Sequence, residues 1–248
     1  MQPVAVRRAT STDLLEIKRW LDEEGKGSSL GFHNNWNLIE AAHSKRRATV
    51  LTLHDYPIGF YTDGTFAPDI FEIHPAHRHE GLGTKLARHM LRAWRRRASV
   101  LEIECAPTES LTFWQRFGFV EYDKYARGTH AYLILERSHR LGMGPRSKFS
   151  VQFYKPNRDW DRTANAFRIY EGEAELRSDG SFLLPQRAIC FHPEHSDGSR
   201  ANCVMRVEID GDLIFEDKVK RERAESLGVQ LDTAYYVDAL RPSALAAP

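Results

Sequence analysis

Cysteine is scarce in this 248-residue sequence, with Cys105, Cys190 and Cys203 its three examples. Three thiols at irregular spacing build no disulfide framework, and an odd count fits a reducing compartment. No apolar run approaches the roughly 18–20 residues that a membrane span needs, so no membrane partner is expected. The opening stretch "MQPVAVRRATSTDLLEIKRW" lacks the apolar centre of an export signal and turns charged within its first residues. Cytoplasm is therefore the expected location. Charge of one sign is missing too, since 35 Lys and Arg against 34 Asp and Glu leave a net +1. That balance gives no global argument for nucleic acid or an acidic membrane, so any electropositive site has to be local. Internal repeats and low-complexity tracts are also absent, apart from a tail, "SALAAP", that is expected to fray.

What is present is the composition of a globular chain, 42% apolar and 28% charged, at a length that suits two domains. "VAVRRAT" reads as a first strand and "STDLLEIKRWLDEEG" as a helix capped by Ser11 and ended by Gly25. A short helix follows at "WNLIEAAHSK". "ATVLTLHDYPIGFYTDG" predicts a hairpin turning at His54-Asp55-Tyr56-Pro57, and "TFAPDIFEIHP" predicts a third strand. The helix after it carries Leu82, Leu86, Met90, Leu91 and Trp94 inward. "SVLEIECA", "TESLTFWQRFG" and "THAYLILER" continue as strand, short helix and strand. Residues 1–137 thus read as an α/β domain, a mixed sheet with flanking helices.

The segment "RSHRLGMGPRSK" changes character, being basic and aperiodic, and 138–148 is taken as a linker. From 149 to 248 strands dominate, with Asp210-Gly211 a strong hairpin signal, so a smaller all-β sandwich or barrel is expected.

The chemistry concentrates at "HPAHRHEGLGTKLARHM", from His74 to Met90. A strand ends at Pro75 and a helix opens near Gly81. Between them the backbone offers N–H groups that the helix cannot pair, and glycine at 81 and 83 lets a ligand approach them. Such a site takes anionic oxygens, with the helix dipole contributing roughly 0.3–1 kcal/mol per charge. A diphosphate is the natural guest.

The pattern Pro75-(x2)-Arg78-(x2)-Gly81-x-Gly83, between the strand "IFEI" and an apolar helix, resembles the cofactor motif of the GNAT superfamily of N-acetyltransferases. "LEIECAPTESLTFWQRFGF" is similar to that superfamily's next strand, short helix and Gly-Phe. The resemblance covers residues 1–137 only. It implies acetyl-CoA as co-substrate, with the pantetheine arm along Glu72, Ile73 and His74. The pyrophosphate would lie on Arg78, His79, Glu80, Gly81, Leu82, Gly83 and Thr84. The implied reaction is attack of a neutral primary amine on the thioester, for which a base helps. Glu102 occupies a position where some members use a glutamate. Asp69 stands two residues beyond Ala67, where others keep theirs, and Glu72 is a third choice.

Two departures stand out. Trp114 replaces the tyrosine that often protonates the leaving thiolate, and Pro107 replaces an asparagine that contacts the pantetheine arm. Tyr122, Tyr125 or water would then supply the proton. The basic run from Arg88 to Arg97 is read as a solvated helix face, so nucleic acid is not an expected partner. "CFHPEHSDGSRANC" holds Cys190, His192, His195 and Cys203 at a spacing that matches no strong zinc pattern, and no metal is expected. The acceptor pocket would involve Glu23 to Trp36. The β half could shape that pocket, form a homodimer or bind a partner. Two other readings stay open: an acyl-CoA-binding protein with little turnover, and an acetyltransferase of a protein amine or an aminoacyl-tRNA.

Overall fold

The computed structural model describes residues 4–26, 31–65, 67–122, 128–159, 161, 163–195 and 198–242. The chain runs β1 (Val4–Arg8), α1 (Ser11–Glu24), α2 (Trp36–Ser44), β2 (Ala48–Leu53), β3 (Tyr56–Asp63), β4 (Pro68–Ile73) and α3 (Leu82–Trp94). It continues through β5 (Val100–Cys105), α4 (Leu111–Gln115), β6 (Val120–Tyr122) and β7 (Thr129–Ile134), the order expected from the sequence. Then come β8 (Arg146–Tyr154), β9 (Arg168–Leu176), β10 (Phe182–Cys190), β11 (Val204–Ile209) and β12 (Asp212–Lys218). Last are α5 (Glu222–Leu227), β13 (Val229–Leu231) and β14 (Tyr235–Leu240). The tail "SALAAP" and Tyr125 lie outside the described residues, as does part of the 23–36 segment.

The chain divides into two compact units, Met1–Arg96 and Arg97–Pro248. In the first, β1, β2, β3 and β4 form an antiparallel sheet in that order, so β4 is an edge strand. Ile17, Trp20 and Leu21 of α1, Ile39 of α2, and Val50, Phe60 and Ile70 of the sheet make its core. Helix α1 begins one residue earlier than expected. Its cap is Thr10, not Ser11, because Thr10 has Asp13 three residues on to complete a capping box. Asp13 also takes two hydrogen bonds from Arg7, at 2.5 and 3.0 Å. The β2–β3 turn is tighter than expected. His54 and Asp55 both take positive φ, 49° and 64°, which closes a two-residue hairpin and returns Tyr56 and Pro57 to the strand.

The second unit holds a three-stranded antiparallel sheet, β5-β7-β6, and a seven-stranded one, β12-β11-β8-β9-β10-β14-β13. Asp210 and Gly211, at φ 52° and 92°, turn β11 into β12 as expected. Helix α5 was not foreseen. Val100 of β5 shares a core with Ile189, Phe191 and Ala234, and Tyr132 and Ile134 of β7 pack on it.

Pro185 interrupts β10, because proline donates nothing to a ladder. The β10–β14 register jumps from Leu183↔Ala239 to Ala188↔Val237, leaving residues 184–187 opposite Asp238 alone. The segment after β7 satisfies the bulged backbone: His139 N–H donates to Pro185 O and Arg187 N–H to Arg137 O, each at 2.8 Å. The bulge turns Arg187 inward. Its buried guanidinium donates to both Asp238 oxygens, at 2.9 and 2.7 Å, and to Asp232 and Ser99, each at 3.1 Å. It also stacks 3.5 Å from the Tyr236 ring centre.

Two stability predictions follow from these networks. Arg187→Met should cost about 3–5 kcal/mol in urea unfolding, since it strands two half-buried carboxylates. A loss below about 1 kcal/mol, the size of an exposed pair, would contradict that account. For Asp13, burial opposes ionisation, but Arg7 and Thr10 prevail and hold the carboxyl below its usual range. Its stabilisation is therefore present above the unfolded value of about 3.9 and is lost as pH falls through the lower folded value. Asp13→Asn should destabilise by about 1–2 kcal/mol at neutral pH, and the gap should close in acid. A gap that does not change with pH would count against the Arg7 pair.

Candidate cofactor loop

Strand β4 runs into a 3₁₀ turn, Pro75–His77, and the chain then enters α3 through Gly81. Gly81 sits in the left-handed region at φ 78°, and a Cβ built there would meet no atom within 4 Å. No side chain caps α3. Of the three helix starts of this unit, those of α1 and α3 differ most plainly, and α2 also lacks a side-chain cap. That of α1 is closed by Thr10 and Asp13, whereas that of α3 presents its first-turn N–H groups beside open space. Leu86, Ala87, Met90, Leu91 and Trp94 are buried and fix the helix by its other face. Leu82 is only half-buried.

Side chains add less positive field here than the sequence suggests. Arg78 folds back, with Nη2 donating to Glu24 at 2.6 Å and to Glu72 at 3.1 Å. Nε of Arg78 donates to the Ile73 carbonyl at 3.0 Å. His74 accepts the Ala76 N–H through Nδ1 at 3.2 Å and lies against Trp20. Burial, helped by His77, pushes the His74 imidazole below its usual value and towards its neutral form. His77 faces Glu80 at 3.4 Å. Any attraction of this loop for an anion would thus rest chiefly on backbone dipoles.

The edge of β4 is occupied at one point. His74 N–H bonds inward to Ile58 O of β3, so the groups of Ile73 alternate outward. Glu72 Oε1 takes the Ile73 N–H at 2.8 Å, and Arg78 takes its carbonyl. Burial raises the Glu72 carboxyl above its usual range, against the pull of the Ile73 N–H and of Arg78. Nothing in the sequence announces Glu24 as part of this cluster, 54 residues from Arg78.

Asp69 is exposed on β4. Partial desolvation and the nearby Asp63 raise its carboxyl, while Arg47 acts against them. In the second unit, Glu102 of β5 accepts a short hydrogen bond from the Tyr122 hydroxyl. One candidate base and one candidate proton donor are thus directly bonded. Trp114 is buried among Phe113, Phe117 and Phe119, which accounts for an indole in α4 by packing alone. Among the described residues no helix is long and apolar enough to cross a membrane.

Neither a protein-family model nor a curated protein sequence matches the chain. Several solved structures are similar to about half of it. The protein yncA from Salmonella typhimurium, solved with its cofactor acetyl-CoA, shares 20% identity over 53% of this chain and 94% of its own, at a TM-score of 0.41. An N-acetyltransferase from Staphylococcus aureus shares 15% over 54% of this chain and 99% of its own, at 0.43. A GNAT-family acetyltransferase from Bacillus cereus shares 17% over 53% and 97%, at 0.40.

Proposed function

We propose that the protein is an acetyl-CoA-dependent N-acetyltransferase that moves an acetyl group to a primary amine. The observation that carries this reading is the uncapped start of α3, opened by left-handed Gly81 on the loop that follows edge strand β4. That combination suits a ligand with a diphosphate next to an amide-bearing arm. The backbone from Arg78 to Thr84 would take the diphosphate, and the outer edge from Glu72 to His74 the arm. The division of labour assigns residues 1–137 to acyl transfer, 138–148 to the connection and 149–248 to the acceptor pocket or an oligomer contact. Cytoplasm remains the proposed location.

In the reaction the amine nitrogen forms the new C–N bond, the C–S bond breaks and the thiolate leaves. A base must take the proton from the nitrogen, because an amine near the lysine pKa is mostly protonated at neutral pH. Glu102 is the proposed base, and its bond to Tyr122 supports a shared relay in which the tyrosine returns a proton to the thiolate. Asp69 is the alternative base, its raised carboxyl being closer to a working value.

A second reading keeps the loop and drops the turnover. The loss of the usual tyrosine at Trp114 motivates an acyl-CoA-binding protein whose β half meets a partner. Acetylation of a protein amine or an aminoacyl-tRNA is a third.

Two measurements test this. In calorimetry with CoA, Gly81→Glu should abolish binding, while adding only about 1–2 kcal/mol of left-handed strain to the fold. Glu72→Ala should bind CoA more tightly, because it frees the Ile73 N–H. Unchanged affinity in a folded Gly81→Glu variant would refute the cradle. In a thiol-release assay with acetyl-CoA and a panel of amines, the wild type should turn over and Glu102→Gln should be slower by about a hundredfold. Silence across the panel with CoA binding intact would favour the second reading.

A further inference from the structure

The turn that follows β10 gathers side chains that the proposed transfer leaves unused. Its sequence is "CFHPEH", from Cys190 to His195, and it closes in a 3₁₀ turn at Pro193–His195. Pro193 fixes its own φ, so the chain bends at once and His192, Glu194 and His195 converge. One ligand atom from each lies within 4.8 Å of the other two. His192 Nδ1 is 3.9 Å from Glu194 Oε2, and the two imidazole centres are 5.5 Å apart. Phe167 holds the His192 ring edge-on, at 5.1 Å between centres.

His195 supplies the independent observation. Its Nδ1 lies 3.1 Å from Ser199 Oγ, whereas its Nε2 is buried with no hydrogen-bond partner. Buried polar atoms are nearly always satisfied, and an exception needs a cause. The tautomer that donates from Nδ1 to Ser199 leaves a bare lone pair on Nε2. An imidazole oriented through one nitrogen, with the other free, is how proteins present histidine to metal ions.

We propose that His192, Glu194 and His195 form a binding site for a divalent transition-metal ion of the Zn²⁺ class. Two imidazole nitrogens and one carboxylate oxygen suit Zn²⁺, Co²⁺ or Ni²⁺, whereas Mg²⁺ and Ca²⁺ favour oxygen throughout. Tetrahedral bonds of about 2.0–2.2 Å set ligand atoms roughly 3.4 Å apart, so the present separation closes by side-chain rotation. Three protein ligands leave a fourth position to water. The spacing of Cys190, His192, His195 and Cys203 leads to no expectation of a metal; in the structure both thiols are buried, and Glu194 is the third group beside the two histidines. Lys155, Arg168 and the Glu194 N–H oppose the ion. Lys155 Nζ holds Glu194 Oε2 at 2.6 Å, and the Glu194 N–H donates to His192 Nδ1 at 3.2 Å. The second is a long bond that coordination through Nδ1 would replace.

The test is titration of the full chain, stripped with a chelator, with Co²⁺ and then Zn²⁺. One Co²⁺ per chain should give visible ligand-field absorption that Zn²⁺ abolishes. His192→Ala and His195→Ala should each weaken binding at least about tenfold. Lys155→Ala should tighten it severalfold by removing the competing cation. His77→Ala, in the cofactor loop, should change nothing. Glu194 and Lys155 are exposed side chains, so Glu194→Gln and Lys155→Ala decide the matter should a histidine variant fail to fold. No saturable binding at micromolar metal overturns the site. So does binding that survives both histidine changes, or binding that is lost with His77.

Discussion

The second unit depends on one buried cation. Arg187 sits in a bulge that Pro185 forces on β10, and its guanidinium meets Asp238, Asp232, Ser99 and the face of Tyr236. A buried guanidinium tolerates little freedom, because every unpaired N–H would carry its full desolvation cost. Its partners are therefore held in register with one another. Asp232 also accepts the Ser99 N–H at 3.1 Å and the Ser99 hydroxyl at 2.9 Å. Thr233 accepts the Val100 N–H at 2.9 Å, so the start of β5 is fixed by the turn before β14. A strand carrying a candidate base is in this way anchored by residues more than 130 positions further along the chain.

The first unit shows one rule of helix chemistry used in two ways. Every helix start leaves N–H groups to satisfy. At α1 the chain answers with Thr10 and Asp13, and Arg7 secures the carboxylate. At α3 it answers with Gly81 and no side chain; the loop's own acid, Glu80, faces His77, while Glu72 of β4 and Glu24 of α1 are drawn to Arg78. Glu72 and Glu24 are thereby held by Arg78. An anion bound there, as proposed, would meet first-turn donors that no side chain caps.

Much of this was legible in the sequence because it is local. Periodicity gave the order of elements through β7, and Asp210-Gly211 gave its hairpin. The cap of α1 was expected at Ser11 and is Thr10, because the acid three residues on belongs to Thr10 and not to Ser11. The tight turn at His54-Asp55 was hidden by Pro57, which looks like a turn residue but is the second residue of the strand. Helix α5 escaped because six residues hold too little pattern, and so short a helix rests on burial of Ala224 and Leu227. The ionic clusters were out of reach for a different reason. Glu24 meets Arg78 across 54 positions and Arg187 meets Ser99 across 88, and no spacing rule connects residues so far apart. A trace existed for the second: Pro185 inside a strand pattern marks a bulge, and a bulge redirects the side chain beside it.

The edge of β4 joins the two themes. An exposed strand edge invites pairing, and chains commonly blunt it with charge. Here Glu72 takes the Ile73 N–H and Arg78 the Ile73 carbonyl, so the edge is closed by the same residues that neutralise each other beside the loop. These are side-chain bonds, and they can be exchanged for a ligand's amides without disturbing the β3–β4 ladder. Because burial raises the Glu72 carboxyl, its charged form is held less firmly than an exposed carboxylate's would be. The arrangement protects the edge by side-chain bonds alone, and under the proposed reading those are the bonds that the amides of an acyl-CoA arm would replace.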